Sequence, residues 1–112
     1  MTFYSVMAYD IVDRAKFEEA MKGGSVAKAM VEELGARRLA SGGVTPAKGQ
    51  WDPHRLNIIE WPDKTAFEKH LADLDANRML DRFGLRLDGI VTVEADQAKP
   101  AKLSARSRRQ AV

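Results

Sequence analysis

The sequence predicts one α+β domain in which helices pack on one face of a four-stranded antiparallel sheet. Its 112 residues are enough for a single core and too few for two domains. Apolar segments of strand length alternate with segments whose apolar residues recur at helical spacing. The composition is 45% hydrophobic and 30% charged, which is typical of a globular chain and not of a disordered one.

The first part of the chain predicts a strand, an interrupted helix and a second strand. Aromatic and apolar residues fill positions 3–9, which indicates strand one. Asp13 is placed to cap a helix that ends at Gly35, where a left-handed residue is favoured. Gly23-Gly24 lies inside that helix and predicts a kink, because two interior glycines cost roughly 2 kcal/mol relative to alanine. Residues 36–40 then predict strand two.

The second part repeats this order. Residues 56–61 form the clearest strand pattern of the chain. Asp63 is placed to cap the next helix, and Asp75 to cap a further short helix that Gly84 closes. Residues 87–94 predict the last strand. The order is βαββαβ, the split βαβ or ferredoxin-like arrangement.

Both faces of the predicted sheet are apolar, although the helices can cover only one of them. In strand one, alternate positions place Phe3, Met7 and Tyr9 on one face and Tyr4, Val6 and Ala8 on the other. In the last strand, the same alternation separates Leu87, Val91 and Val93 from Ile90. A face this apolar exceeds the few hundred Å² that monomers usually expose. We therefore expect two copies to pack face to face as a homodimeric barrel. The alternative is that loops and the C-terminal segment cover this face.

Charge is unevenly distributed along the chain. There are 18 basic and 16 acidic residues, and five of the basic ones but no acid lie in residues 97–112. Residues 1–96 therefore hold 13 basic and 16 acidic residues, a net charge of −3. We interpret residues 1–96 as the folded domain and residues 97–112 as a flexible basic tail.

Several classes of site are excluded or not expected. Cysteine is absent, which rules out disulfides, thiolate nucleophiles and cysteine-ligated metals, and this suits a cytoplasmic protein. The chain has neither a secretory signal pattern nor about 18 consecutive apolar residues, so no membrane contact is expected. His54 and His70 do not have a recognised metal-ligand spacing, and no nucleotide fingerprint is present, so we expect neither metal nor cofactor.

Three segments of the chain resemble a known superfamily. They are GARRLASGG at 35–43, GQWDPHRL at 49–56 and IIEWP at 58–62. They resemble the dimeric α/β-barrel superfamily and, within it, a bacterial family of unknown function, over roughly residues 3–95. The resemblance implies a homodimer of ferredoxin-like domains.

The relatives that this resemblance implies have varied activities. They include monooxygenases of the antibiotic-biosynthesis type that use no cofactor, muconolactone-type isomerases, stress-response proteins and some haem-using members. Similar sequences often carry an arginine at the position of Ser41 and a tyrosine near Asn77. If those positions shape the pocket, this chain binds a different ligand or none.

Two residues are candidates for proton transfer. Glu60 is a carboxylate on an otherwise apolar strand, and His54 lies in the turn before it. The alternative for Glu60 is an ion pair with Arg38 or Arg55 across the sheet. Arg38 is also expected to stabilise negative charge on a ligand.

Four further residues are candidates for a ligand pocket beside Arg38. Tyr9, Trp51 and Trp61 provide large flat apolar surfaces with a hydrogen-bonding tip, which suits a planar ligand and equally suits an ordinary core. His70 lies on the apolar stripe of the second helix, where a histidine at the edge of the core is more usual than a base.

Two functions remain from the sequence. The first is a homodimeric small-molecule-binding protein or cofactor-free enzyme, similar to an isomerase or a monooxygenase, that takes a small conjugated metabolite between sheet and helices. The second is a non-catalytic interaction or stress-response protein whose basic tail contacts an acidic partner. RNA-recognition motifs share the strand order, but their third strand carries exposed aromatics, so nucleic acid is not expected.

Overall fold

A computed structural model describes residues 2–24 and 26–95, so the predicted tail at 97–112 lies outside the described residues. The elements are β1 (Phe3–Ile11), α1 (Arg14–Lys22), α2 (Val26–Glu33), β2 (Arg37–Gly43), β3 (Arg55–Trp61), α3 (Lys64–Ala76), α4 (Met79–Arg82) and β4 (Leu85–Glu94). The strand order in the sheet is β2-β3-β1-β4, and every neighbouring pair is antiparallel. This is the predicted α+β, ferredoxin-like arrangement.

The predicted helix ends are confirmed at three positions. Asp13 accepts a hydrogen bond from the Lys16 amide at 3.1 Å, and Asp63 accepts one from the Ala66 amide at 2.8 Å. Gly35 has a φ of 76°, the left-handed conformation that ends α2. The predicted kink at the paired glycines is a complete break, since α1 ends at Lys22 and α2 begins at Val26.

The predicted cap at Asp75 is wrong. The α3 helix continues to Ala76, because the amides of Asn77 and Arg78 still donate to the carbonyls of Asp73 and Asp75. Asp75 is therefore in the last turn of α3, and α4 begins after Arg78, which has a left-handed φ of 50° and provides no side-chain cap.

The core lies between the sheet and the helices. Its buried residues from the strands are Phe3, Met7, Tyr9, Ile59 and Trp61, and those from the helices include Val31, Phe67, Leu74 and Met79. Phe67 contacts the rings of both Phe3 and Trp61, with centroids 5.4 and 5.7 Å apart. Aromatic contacts of this kind hold α3 against β1 and β3.

The other face of the sheet is apolar and is not covered by a described helix. We call it the open sheet face; it comprises Tyr4, Val6, Leu56, Ile58, Val91 and Val93. Val91 is 56% exposed and Val93 50% exposed. The predicted grouping of Leu87 with Val91 and Val93 on one face is wrong, because a bulge opposite Ala8 and Tyr9 skips Asp88 and pairs Leu87 with Tyr9.

Candidate ligand cleft

A cleft opens between the sheet and the helices and has two adjacent parts that share lining residues. The outer chamber has a volume of about 200 Å³ and is lined by Tyr9, Phe17, Ala20, Met21, Gly24, Arg38, Ser41, Arg55, Asn57, Phe83 and Leu85. The inner chamber, of about 40 Å³, shares Tyr9, Arg38, Asn57, Phe83 and Leu85 and adds Val31, Ile59, His70, Leu74, Met79 and Leu80. The walls are therefore mostly apolar, with a few polar groups between them.

A hydrogen-bonded polar group lies on the sheet side of the outer chamber. Ser41 on β2 donates its hydroxyl to the side-chain carbonyl of Asn57 on β3 at 2.6 Å. Burial raises the pKa of Tyr9 to about 12, although a hydrogen bond with Asn57 partly opposes this. Tyr9 therefore keeps its phenolic proton at neutral pH and can donate it in a hydrogen bond.

Two arginines provide the charge of the cleft. Arg55 on β3 lies over the ring of Phe17 on α1, with its guanidinium carbon 5.1 Å from the ring centroid. Arg38 on β2 lines both chambers. Among the described residues, no aspartate or glutamate lines either chamber. The cleft therefore favours a ligand with negative or electron-rich groups over a cationic one.

His70 on α3 lies at the inner end of the cleft. His70 is 3% exposed, and its Nδ1 atom has no hydrogen-bond partner among the residues that the structure describes. The ring is packed against Trp61 with centroids 5.1 Å apart. Burial lowers the pKa of His70, while the nearby charge of Asp73 opposes this, so the imidazole is neutral at physiological pH.

The two candidates for proton transfer lie outside the cleft lining. Glu60 shares the open sheet face with Ile58, and its carboxylate accepts from Arg37 at 3.4 Å. The predicted partners Arg38 and Arg55 line the cleft instead. His54 lies at the end of the loop before β3, and its Nδ1 accepts from the backbone amide of Ile11 at 2.7 Å. The imidazole of His54 thus joins this loop to the end of β1.

The two tryptophans have different surroundings. Trp51 is 54% exposed and donates from its indole nitrogen to Asp88 at 3.1 Å. Trp61 is 1% exposed and donates to the hydroxyl of buried Ser5 at 2.9 Å. Of the predicted pocket residues, the structure brings Tyr9, Arg38 and His70 together in the cleft, and places Trp51 and Trp61 elsewhere.

Two polar residues of the cleft, Arg55 and Asn57, were missed as site residues. Ser41, which the resemblance indicated as a position that could shape the pocket, also lines the outer chamber. The signal for Asn57 was present, because it alternates with Ile59 and Trp61 and so lies at a helix-facing position of β3. A polar residue on the buried parity of a strand indicates either a partner or a site.

No protein-family model matches the chain, and no curated protein matches it in sequence. Within residues 2–24 and 26–95, none of the helices has the length and apolar character needed to span a bilayer.

Solved structures resemble the chain in fold. HapK from Hahella chejuensis has a TM-score of 0.56 at 13% identity, with 89% of this chain and 98% of HapK covered. SnoaB, a cofactor-independent oxygenase from Streptomyces nogalater, has a TM-score of 0.49 at 18% identity, with 89% and 96% covered. A dimeric ferredoxin-like protein from an uncultured marine organism has a TM-score of 0.48 at 15% identity, with 88% and 98% covered. The strand order and connections of the chain give it a ferredoxin-like fold, and the similarity to HapK is a similarity of fold.

Proposed function

We propose that this protein binds a small, conjugated and largely apolar molecule in the cleft between the sheet and the helices. The observation that carries the proposal is a cleft of about 200 Å³ with apolar walls into which Tyr9, Arg38, Arg55 and Asn57 converge. Sites for small molecules have this composition, since apolar walls supply affinity and a few polar groups fix the orientation.

The same groups suit chemistry in which negative charge develops on the ligand. Guanidinium groups aimed at a forming oxyanion stabilise it strongly in a site that excludes water. The neutral Tyr9 hydroxyl provides a hydrogen-bond donor beside them. Proton transfer, isomerisation or oxygenation of a conjugated compound is the reaction class that these residues favour.

Filling the outer chamber is expected to weaken binding. Ala20 on α1 lines the chamber, so Ala20→Phe should reduce the affinity for any ligand that occupies it by about ten-fold or more. Ala15→Phe is the matched control, because Ala15 is exposed on the same helix and is not part of the lining. Its expected effect on affinity is less than about two-fold.

The measurement is a thermal-shift screen of aromatic acids, phenols and conjugated enones, followed by calorimetric titration of the compounds that stabilise the wild type. If no compound stabilises it, or if both substitutions weaken binding equally, the cleft is not a ligand site. The alternative of a non-catalytic interaction protein would then be favoured.

We also propose that two copies pair through the open sheet face. The apolar residues of this face include Val91 and Val93, which are half exposed in the single chain, and no described helix covers them. A second copy would bury the same apolar patch on both subunits. This arrangement leaves the cleft on the far side of each sheet.

A charge on the open sheet face is expected to dissociate the dimer. In the single chain Val91 is 56% exposed, so Val91→Lys should leave the subunit folded but weaken association by about 100-fold. Thr92→Lys is the control, since Thr92 is exposed on the same strand but pairs with Ser5 on the opposite face.

Sedimentation velocity at micromolar concentration measures this effect. The wild type and Thr92→Lys are expected to sediment as dimers, with twice the chain mass of 12.5 kDa. Val91→Lys is expected to sediment as a monomer of 12.5 kDa. A folded wild-type monomer, or a dimer that Val91→Lys leaves intact, would contradict pairing through this face.

A further inference from the structure

We propose that the inner chamber recognises a hydroxyl group at the leading end of the ligand, with His70 Nδ1 as its hydrogen-bonding partner. This inference rests on the proposed ligand cleft and adds the chemical class of what enters it: an apolar ring that carries a phenolic or enolic hydroxyl.

The first reason is the unpartnered nitrogen of His70. Nearly all buried polar atoms in folded proteins have a hydrogen-bond partner, yet Nδ1 of His70 has none among the described residues. The imidazole lines the inner chamber with Tyr9, Arg38 and Asn57, so a group in that space can reach a polar surface from several directions. An apolar occupant would leave the nitrogen without a partner.

The second reason is that a hydroxyl matches this set of groups better than the alternatives do. It both donates and accepts, so it can satisfy Nδ1 in either tautomer of the neutral ring. It can also accept from Arg38, which has donors only. A methyl group satisfies neither residue, a carboxylate satisfies Nδ1 only in the tautomer in which that nitrogen carries the proton, and an ammonium group is repelled by Arg38.

The third reason is size. A volume of about 40 Å³ holds on the order of one to three water-sized groups, so the inner chamber admits a substituent but not a ring. The outer chamber, at about 200 Å³, has Phe17 and Phe83 in its lining and can receive a ring. The two chambers together therefore fix the orientation of the ligand, with its ring in the outer chamber and its hydroxyl in the inner chamber.

A matched pair of probes tests this inference. 4-Methylphenol and 1,4-dimethylbenzene differ by a hydroxyl in place of a methyl group. We expect the full-length protein to bind the phenol about ten-fold more tightly, as measured by nuclear magnetic resonance titration. His70→Leu should remove this preference, and His70→Asn, which keeps a donor and an acceptor near Nδ1, should restore part of it.

Two further measurements separate recognition from a structural effect. The chain has two histidines, so His54→Phe is a matched control that should keep the preference for the phenol. It also has two tryptophans, so Trp51→Phe makes Trp61 the sole tryptophan. Trp61 packs on His70, so its fluorescence should change on binding of the phenol and not of the hydrocarbon. In the bound protein, the imidazole nitrogen resonances of His70 should also shift.

The outcomes distinguish this inference from the proposal that underlies it. If both probes bind equally and Ala20→Phe weakens both, the cleft is a ligand site but the inner chamber does not recognise a hydroxyl. If His70→Leu keeps the full preference, His70 is not the partner. If neither probe binds at any soluble concentration, both the inference and the ligand cleft are rejected.

Discussion

Gly84→Ala is expected to lower the free energy of unfolding by about 3 kcal/mol. Gly84 has a φ of 66°, in the left-handed region where an L side chain is strained. A Cβ atom there would also overlap the backbone carbonyl oxygen of Asp13 and press on Lys16. The backbone has little freedom to move away, because the amides of Val12 and Asp13 both donate to the Gly84 carbonyl, at 2.8 and 3.1 Å.

Urea unfolding at one fixed protein concentration measures this loss, and two other glycines separate its causes. Gly35 has a φ of 76°, but a Cβ there would make only an ordinary contact with Pro62, so Gly35→Ala should cost about 1–2 kcal/mol from conformation alone. A Cβ on Gly89 would meet no atom within 4 Å, so Gly89→Ala should have little effect. Equal effects of Gly84→Ala and Gly89→Ala would show that the turn at Gly84 relaxes without cost.

Trp61→Ala is expected to lower the free energy of unfolding by about 3–5 kcal/mol, the usual range for a buried aromatic residue. The indole is 1% exposed and lies between Phe67 and His70. Its removal opens a cavity at the centre of the sheet–helix interface and leaves the hydroxyl of buried Ser5 without its donor. The milder Trp61→Phe should cost about 1–3 kcal/mol, mainly through that hydroxyl.

A double-mutant cycle isolates the hydrogen bond between Trp61 and Ser5. Ser5→Ala and Trp61→Phe each leave one buried partner unpaired, whereas the double variant removes both, so their effects should be less than additive. Trp51→Phe is the control, since Trp51 is half exposed, and should change stability by less than about 0.5 kcal/mol. Strict additivity in the cycle would mean that the hydrogen bond contributes nothing to stability.

The elements of this fold follow from local chemistry, and for that reason they could be predicted. Asp13 and Asp63 cap their helices because an aspartate reaches an amide only three residues ahead. The two apolar faces of β1 follow from the two-residue period of a strand. The cap at Asp75 could not be judged in this way, because the last turn of α3, which contains Asp75, is stabilised by the burial of Leu74 in the core.

Which residues line the cleft depends on the pairing register of the strands. That register is set by contacts between residues that are distant in the chain. In β2 a bulge at Leu39 pairs Arg38 with Ile59 but Ala40 with Ile58, and thereby places Ser41 opposite Asn57 in the cleft. Regular alternation would instead have set Ala40 opposite Asn57.

The sequence was thus sufficient for the order of strands and helices, the caps at Asp13 and Asp63 and the apolar character of both sheet faces, because each depends on residues only a few positions apart. It was not sufficient to place Glu60 beside Arg37, to join His54 to Ile11 or to bring His70 and Arg38 to one chamber. Those placements require strand pairing and bulges, and a shift of one residue moves a side chain to the opposite face of the sheet.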